Sequence, residues 1–142
     1  MSDELTGSLR SAGLRVTASR LAVLATLRSR SHVAADDVAA QTRQKLGNLS
    51  TQAVYDILHA FTAAGLIRRI EPAGSAAVYE TRVGDNHHHV VCRLCGAIAD
   101  VDCAVGSAPC LEAADSQGFV IDEAEVTYWG LCPDCTRERT PA

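Results

Sequence analysis

The segment His87-His88-His89-Val90-Val91-Cys92-Arg93-Leu94-Cys95 ends in a CxxC pair, and a second pair, Cys132-Pro133-Asp134-Cys135, follows after 36 residues. Four thiolates at this spacing are enough for one tetrahedral Zn²⁺ site, because each two-residue gap lets a tight turn direct two sulfurs to the same metal. Such a metal would hold two distant segments together. The pattern therefore predicts a structural zinc on Cys92, Cys95, Cys132 and Cys135.

The three histidines before the first pair form a second, harder ligand set. Side chains alternate in an extended segment, so we expect His87 and His89 to point one way and His88 the other. Two imidazoles at i and i+2 of one strand can bind the same metal. A further alternating strand, Ile98–Asp102, places Asp100 on one face. A sulfur site next to an imidazole and carboxylate site predicts two metals, one structural and one exchangeable.

The distribution of charge divides the chain near Val83-Gly84-Asp85. The 142 residues carry a net charge of −4. Residues 1–83 contain ten Lys and Arg against seven Asp and Glu, whereas residues 84–142 contain three against ten. The first part is therefore the candidate for contact with phosphate, and the second is the candidate for cation binding. We predict two domains, 1–83 and 84–142.

The ends and the hydropathy of the chain predict a cytoplasmic protein. No run of 18 apolar residues exists, so no membrane association is expected. The start, Met1-Ser2-Asp3-Glu4-Leu5, is acidic and polar, unlike a signal peptide. In a reducing compartment, CxxC pairs favour metal binding over disulfides.

The first domain has a mostly helical pattern. A short helix ends at Gly13, a second has Thr17 as its N-cap, and a third runs from about residue 35 to residue 46. Ser50 caps a fourth helix, which extends to about residue 64. Its inward positions follow the i, i+3, i+4, i+7 pattern at Val54, Ile57, Leu58 and Phe61. Two strands follow, 66–70 and 76–80, with a turn between them.

Helices followed by a two-stranded hairpin are the plan of the winged helix-turn-helix, in which the helix before the hairpin enters the major groove. Gln52 can contact an adenine edge, and Tyr55 can reach phosphate or pack on a thymine methyl. An ordinary solvated helix face is the alternative. The outward positions of this helix are Thr51, Gln52, Tyr55, His59 and Thr62. The candidate DNA-binding residues are Arg15, Arg20, Ser50, Thr51, Gln52 and Tyr55, with Arg68 and Arg69 as further phosphate contacts.

The second domain is predicted to be rich in strands. A short helix is expected at 109–117, and a strand at 119–129 leads to the second CxxC pair. Two cysteines remain outside the zinc set, Cys103 and Cys110. They are either two small buried apolar side chains or a thiol pair that oxidises to a disulfide.

Three segments resemble the ferric uptake regulator (Fur) family: residues 85–96, residues 13–17 and residues 52–58. The run through residues 97–106 resembles the FurA or CatR branch of that family, whose repressors are typically linked to a catalase-peroxidase gene. The resemblance covers nearly the whole chain. It implies an α+β homodimer, with an N-terminal winged helix-turn-helix followed by a small α/β dimerisation domain that contains the four-cysteine zinc site.

The same resemblance implies a regulatory metal site. It places the ligands on His32, Glu80, His87, His89 and Asp100, so that one cation bridges the two domains. Three imidazoles and two carboxylates suit Fe²⁺ or Mn²⁺, although Zn²⁺, Co²⁺ or Ni²⁺ could bind the same set. Glu80 stands where the family's peroxide sensors usually carry Asp, so both iron and peroxide remain open as the signal.

The expected function is that of a metal-dependent transcriptional repressor which binds double-stranded operator DNA as a homodimer and is not an enzyme. It would respond to iron or peroxide and control a catalase-peroxidase or other oxidative-stress and iron genes. Three alternatives remain. The first is a thiol-redox switch on Cys103 and Cys110. The second is a sensor of manganese, nickel or zinc, and the third is a small zinc hydrolase that uses the histidine and carboxylate cluster.

Overall fold

The computed structural model describes residues 2–83, 87–102, 114–121 and 125–139. The chain divides into two compact units, Met1–Gly84 and Asp85–Ala142. The thiols of Cys103 and Cys110 lie outside the described residues. Within the described ranges, no helix has the length and hydropathy that crossing a bilayer requires.

Four helices build most of the first unit, and side-chain caps start two of them. The helices are α1 (Ser2–Ser11), α2 (Ala18–Arg28), α3 (Ala35–Leu46) and α4 (Thr51–Ala63). Thr17 Oγ1 accepts a hydrogen bond from the backbone N–H of Arg20 at 3.1 Å, and Ser50 Oγ accepts from Ala53 at 3.0 Å. Both N-caps predicted from the sequence are confirmed, because a hydroxyl satisfies an amide that the first helical turn leaves unpaired.

A three-stranded antiparallel sheet completes the first unit. It consists of β1 (Val33–Ala34), β2 (Arg68–Ile70) and β3 (Val78–Glu80), in the order β1-β3-β2. The predicted hairpin is present, but each strand is shorter than expected. The two-residue strand β1 was missed because it is too short to show a pattern of alternation. It pairs with β3, with Val33 opposite Tyr79.

The core of the first unit lies between the helices. On α4, Val54, Leu58 and Phe61 are fully buried, whereas Ile57 is only partly buried. Three of the four predicted inward positions are therefore at the centre of the core. The helices α2 and α3 contribute further buried side chains, namely Val23, Leu24, Leu27, Val38 and Ala39.

The second unit is a three-stranded sheet with one short helix. The strands β4 (His87–Cys92), β5 (Ile98–Asp102) and β6 (Thr127–Gly130) have the order β5-β4-β6, and α5 spans Pro133–Arg139. The central strand β4 is antiparallel to β5 and parallel to β6. The fold is therefore α+β, as predicted.

Two secondary-structure predictions for the second unit are corrected. The strand expected at 119–129 is wrong at its start, because Phe119–Ile121 forms no strand and is exposed. Of the helix expected at 109–117, residues 114–117 are not helical, and Gln117 has φ +54°. Its N–H donates to Asp115 Oδ1 at 2.9 Å, so a local turn takes the place of the helix. Residues 109–113 lie outside the described ranges.

Among its described residues, the second unit has a very small apolar core. Val91 is the one aliphatic side chain there that is fully buried, and Cys92 and Cys135 are the other buried apolar residues. The core formed by these described residues alone is too small to offset the conformational entropy lost on folding, which favours a metal or a partner chain as a source of stability.

Candidate metal centres and nucleic-acid interface

The thiols of Cys92, Cys95, Cys132 and Cys135 form one compact group. All four sulfur atoms lie within 4.8 Å of one another, and the sulfurs of Cys95 and Cys132 are 3.7 Å apart. A tetrahedron of Zn–S bonds about 2.3 Å long has edges of roughly 3.8 Å, so this spacing fits Zn²⁺. The four thiols therefore have both the chemistry and the separation of a structural zinc site.

Strand pairing explains why the two CxxC turns meet. Cys92 at the end of β4 is paired with Gly130 at the end of the parallel strand β6. The two strands therefore end side by side, and the CxxC turn that follows each of them lies at the same end of the sheet. The N–H of Arg93 donates to the carbonyl of Gly130 at 2.7 Å, and Gly96 closes the first turn with φ +79°. A positive φ suits glycine because it has no Cβ to clash.

Cys92 and Cys135 differ in the pKa of their thiols. Backbone N–H groups of Cys95 and Cys132 donate to the Cys92 sulfur and lower the pKa of Cys92 from 9.0 to about 6. A hydrogen bond with the thiol of Cys132, together with burial, raises the pKa of Cys135. Thiolate is the form that binds metal, so Cys92 is the thiol prepared to bind first.

A second candidate ligand set lies on β4 and β5. His87 and His89 approach the same carboxylate oxygen, Asp100 Oδ1, with their Nε2 atoms at 3.8 Å and 3.4 Å. The two imidazoles are buried, and their ring centroids are 4.9 Å apart. His88 points elsewhere, since its Nδ1 accepts from the backbone N–H of Val126 at 3.2 Å. The antiparallel register places Asp100 directly opposite His89 and therefore on the same face.

The first unit contains another imidazole and carboxylate pair. His32 Nε2 lies 3.2 Å from Glu80 Oε2, and both side chains are buried. His32 precedes β1 and Glu80 ends β3, so the pairing of these two strands brings the residues together. Nothing in the local sequence around His32 indicates this, because its partner is 48 residues away.

The outer face of α4 is polar, but several of its side chains already have partners. Gln52 Nε2 donates to Asp56 Oδ1 at 2.9 Å. The amide keeps its second hydrogen and its carbonyl oxygen, which are the two groups that an adenine edge requires. Thr62, also predicted to face outward, donates its hydroxyl to the carbonyl of Leu58 at 2.8 Å.

Tyr55 is held at both ends. Its ring packs against the core of the first unit, and its hydroxyl donates to Asp36 Oδ1 in the first turn of α3 at 3.3 Å. The negative charge of Asp36 raises the pKa of Tyr55, so the side chain remains a phenol at neutral pH. Sequence analysis missed Asp36 because it is 19 residues from Tyr55 and on another helix.

The remaining DNA-binding candidates fall into two groups. Arg15 and Thr51 are exposed, whereas Ser50 and Arg20 are already used in holding the backbone. Ser50 caps α4, and Arg20 Nη1 donates to the carbonyl of Arg15 at 2.9 Å. Sequence analysis also missed Arg43, whose Nη1 donates to Thr51 Oγ1 at 3.3 Å and brings a positive charge to the start of α4.

Comparison with known proteins agrees with this combination of a winged helix, a four-cysteine group and imidazole and carboxylate pairs. Residues 11–129 match the model of the Ferric uptake regulator family. The chain belongs to the ferric uptake regulator family. Members of the Fur family are transcriptional regulators that bind DNA as dimers, and the chain is therefore a metal-dependent regulator and not an enzyme. The zinc hydrolase alternative is wrong.

The chain is similar in sequence to several named regulators of the Fur family. It is 62% identical over 128 residues to the transcriptional regulator FurA of Mycobacterium tuberculosis (strain ATCC 25618 / H37Rv), covering 90% of this chain and 87% of the relative. It is 65% identical over 126 residues to the ferric uptake regulation protein 1 of Mycolicibacterium fortuitum, covering 89% and 78%. The peroxide-responsive repressor PerR of Staphylococcus epidermidis is 28% identical, with 96% of this chain and 91% of PerR covered.

Solved Fur structures share the fold. The ferric uptake regulator of Helicobacter pylori, which has three functional metal binding sites, matches with a TM-score of 0.71 at 21% identity, covering 97% of this chain and 93% of that one. The manganese-containing regulator of Pseudomonas aeruginosa matches with a TM-score of 0.65 at 27% identity, covering 91% and 98%.

Proposed function

We propose that this Fur-family regulator is a repressor of operator DNA that acts as a cytoplasmic homodimer, with zinc on its four cysteines and an exchangeable Fe²⁺ or Mn²⁺ as the signal. The observation that carries the proposal is the presence of an imidazole and carboxylate group in each unit, with Glu80 buried in the first and His87 and His89 buried in the second. The first unit supplies His32 and Glu80, and the second supplies His87, His89 and Asp100.

The two imidazoles and one carboxylate of the second unit could hold a divalent cation with open coordination positions. The imidazole and carboxylate of the first unit could fill those positions. Imidazole nitrogens suit iron, copper, nickel and zinc, and carboxylate oxygens suit manganese, so the mixed set is compatible with Fe²⁺ or Mn²⁺. We propose that one cation takes both sets. Manganese, nickel and zinc remain alternative regulatory metals for the same donors.

A cation bound by ligands from both units would restrict their relative orientation. The metal shifts the population toward those orientations in which it has its full ligand set. If the two recognition helices of the dimer then match two operator half-sites, metal binding and DNA binding strengthen each other by the same factor. Loss of the metal would release the DNA.

The identity of the signal rests on the relatives. High identity to FurA and weaker identity to PerR support a repressor of catalase-peroxidase, oxidative-stress or iron genes that responds to iron, peroxide or both. A thiol switch on Cys103 and Cys110 remains the alternative sensor.

Exposed apolar side chains support the homodimer. Phe119 is 75% exposed and Val120 is 99% exposed, and Leu94 and Tyr128 are also exposed in the same unit. Several large apolar side chains exposed in one small unit are typical of an interface. Since members of the family bind DNA as dimers, a second copy of this chain is the proposed partner.

The regulatory site is tested by Glu80→Gln and His89→Ala, with Glu71→Gln as the matched control. Glu80 is buried against His32, whereas Glu71 is exposed and paired with Arg69. We expect the two site variants to keep one zinc per chain and their fold, and to lose the metal-dependent increase in affinity. Affinity is measured by fluorescence anisotropy on a duplex that metal-loaded wild-type protein selects from a random pool. Unchanged metal dependence in Glu80→Gln would exclude a metal shared between the units.

A further inference from the structure

Tyr55 lies on the outer face of α4, and its hydroxyl has a fixed partner. The phenol donates to Asp36 Oδ1 at 3.3 Å, while the ring packs on the core beneath it. The side chain is therefore oriented by apolar packing at the ring and by a carboxylate at the oxygen.

The donor state of this hydroxyl determines what it can contact in DNA. A phenol has a single hydrogen, and here Asp36 accepts it. Phosphate oxygens only accept hydrogen bonds, so Tyr55 has no hydrogen to offer them. Its oxygen can still accept from an amino group of adenine or cytosine, and its ring can pack on the methyl group of thymine. Of the two contacts expected from the sequence, phosphate or base, the pairing favours the base.

The negative charge of Asp36 also favours contact with bases over contact with phosphates. A carboxylate beside a DNA-facing side chain repels phosphate, whose negative charge supplies most of the affinity for non-specific DNA. Asp36 is exposed, so this repulsion reaches the surface of the protein. The carboxylate therefore disfavours backbone contacts at this place and leaves the base edge as the productive contact.

We propose that Asp36 is a positioning and specificity-determining residue, which acts through Tyr55 by occupying its only hydroxyl hydrogen and so directs that side chain to base edges instead of phosphates. The proposal rests on the proposed function, in which α4 contacts operator DNA.

A purely structural role for Asp36 predicts a different outcome. A carboxylate in the first turn of α3 also stabilises that helix through its dipole. Asp37 is exposed in the same first turn and has the same charge. Asp37→Ala is therefore the matched control for the helix dipole and for the loss of one negative charge.

The experiment measures the specificity ratio, which is the Kd for a shuffled duplex divided by the Kd for the selected duplex. Full-length, metal-loaded Asp36→Ala should lower this ratio about fivefold, as expected for one misplaced hydrogen bond. Asp37→Ala should leave it unchanged. Asp36→Asn retains an acceptor for the hydroxyl of Tyr55. It should therefore keep the preference for one base at the position that Tyr55 contacts. This preference is measured by titrating duplexes in which each base pair of the selected sequence is replaced in turn.

The double variant isolates the pathway through Tyr55. In a Tyr55→Phe background, which has no hydroxyl, Asp36→Ala should change the ratio less than about twofold. Carbon-13 NMR titration of labelled tyrosine, assigned with Tyr55→Phe, should show that Asp36→Ala lowers the pKa of Tyr55. Thermal unfolding of each variant reports whether it folds. If Asp36→Ala does not fold, Asp36→Ser is the substitute, because serine is tolerated in the first turn of a helix and its side chain is too short to keep the contact with the Tyr55 hydroxyl.

Two results would overturn the proposal. The first is an equal change of the ratio in Asp36→Ala and Asp37→Ala, and the second is a full effect of Asp36→Ala in the Tyr55→Phe background. If Tyr55→Ala and Gln52→Ala leave binding to both duplexes unchanged, α4 is not the DNA-contacting surface, and the proposed interface fails together with the role of Asp36.

Discussion

At the scale of the residue, Cys92 and Cys135 are chemically distinct, although the two CxxC pairs make them look equivalent. Amide donors from Cys95 and Cys132 lower the pKa of Cys92 to about 6, and the pKa of Cys135 is raised by its thiol neighbour and by burial. Before zinc binds, Cys92 is therefore mostly thiolate at pH 7 and mostly thiol at pH 5. Zinc uptake must displace a proton from each thiol that is still protonated.

We predict that metal-free protein releases roughly one proton fewer per zinc at pH 7 than at pH 5. The sign follows from the lowered pKa of Cys92, because below about pH 6 zinc must also displace the proton of this thiol. Calorimetry in buffers of different ionisation enthalpy gives the number of protons. An equal count at both pH values in the wild type would show that the Cys92 thiol is not acidic.

At the scale of the element, β4 contributes residues to two candidate metal sites. Its first half presents His87 and His89 to Asp100, and its last residue, Cys92, is a ligand candidate for the zinc group. Arg93 continues past the strand and places its guanidinium over the ring of Trp129 on β6, 5.3 Å from the centroid. Because β4 is the central strand, the regulatory donors and the thiol turn are held by one backbone.

We predict that Cys92→Ser unfolds the second unit and prevents dimerisation. The unit has little apolar core among its described residues, and zinc binding in small domains supplies about 10–16 kcal/mol of folding free energy. Circular dichroism and sedimentation should show lost β structure and monomers, while α1 to α4 remain helical. The matched control is Thr136→Ser, next to Cys135 but not a thiol. A folded dimer of Cys92→Ser would contradict the structural role of zinc.

Helix α4 and the segment before α2 should make different contributions to DNA binding. We predict that Gln52→Ala weakens binding to the selected duplex by about 1–3 kcal/mol and has little effect on shuffled DNA, since its amide can contact a base edge.

Arg15→Ala should weaken both duplexes and lower the salt slope by about one unit, because Arg15 is exposed and charged. Anisotropy titrations at several salt concentrations measure both effects. Identical salt slopes for wild type and Arg15→Ala would mean that Arg15 contacts no phosphate.

At the scale of the whole molecule, the two units have opposite charge and different means of stabilisation. The first is a helical unit with a well-filled apolar core and a surplus of basic residues. The second is acidic, and its described residues combine few buried apolar side chains with a four-cysteine group that could hold zinc. A regulator built in this way can lose its exchangeable metal without unfolding. The first unit does not depend on that metal, and the four cysteines of the zinc group are different residues from the candidate ligands of the exchangeable metal.

We predict that peroxide releases the Fe²⁺ form of the repressor from the selected duplex and leaves the Mn²⁺ form bound. Iron supplies electrons to peroxide readily, and the imidazoles of His87 and His89 are the side chains nearest to that chemistry in the proposed site. Mass spectrometry should find added oxygen in the tryptic peptide 83–93 of the Fe²⁺ form only. The Mn²⁺ form is the control.

The two other outcomes of this experiment identify the signal. Release of DNA by both metal forms, abolished in Cys103→Ser, would assign sensing to the thiol pair. No response in either form would identify a sensor of iron level, with Glu80 in place of Asp as the expected reason.

Features that depend on neighbouring residues could be predicted from the sequence alone. The caps at Thr17 and Ser50, the buried stripe of α4, and the shared direction of His87 and His89 follow from hydrogen bonds and periodicities within a few residues. The CxxC spacing likewise predicts a thiol group, because two residues are enough to build one turn. The start of the strand predicted at 119–129 was wrong, because apolar residues indicate a strand only where a partner strand is present, whereas its end is part of β6.

Features that depend on packing were decided only by the tertiary structure. The pairing of β1 with β3, which brings His32 to Glu80, and the contact between Tyr55 and Asp36 join positions 48 and 19 residues apart. No local propensity encodes such contacts, since they form only when separate helices and strands pack on a common core. The sequence determined the family, the four-cysteine group and the helix that is predicted to contact DNA. Tertiary packing decided which side chains on that helix are already occupied, and therefore what they can contact in DNA.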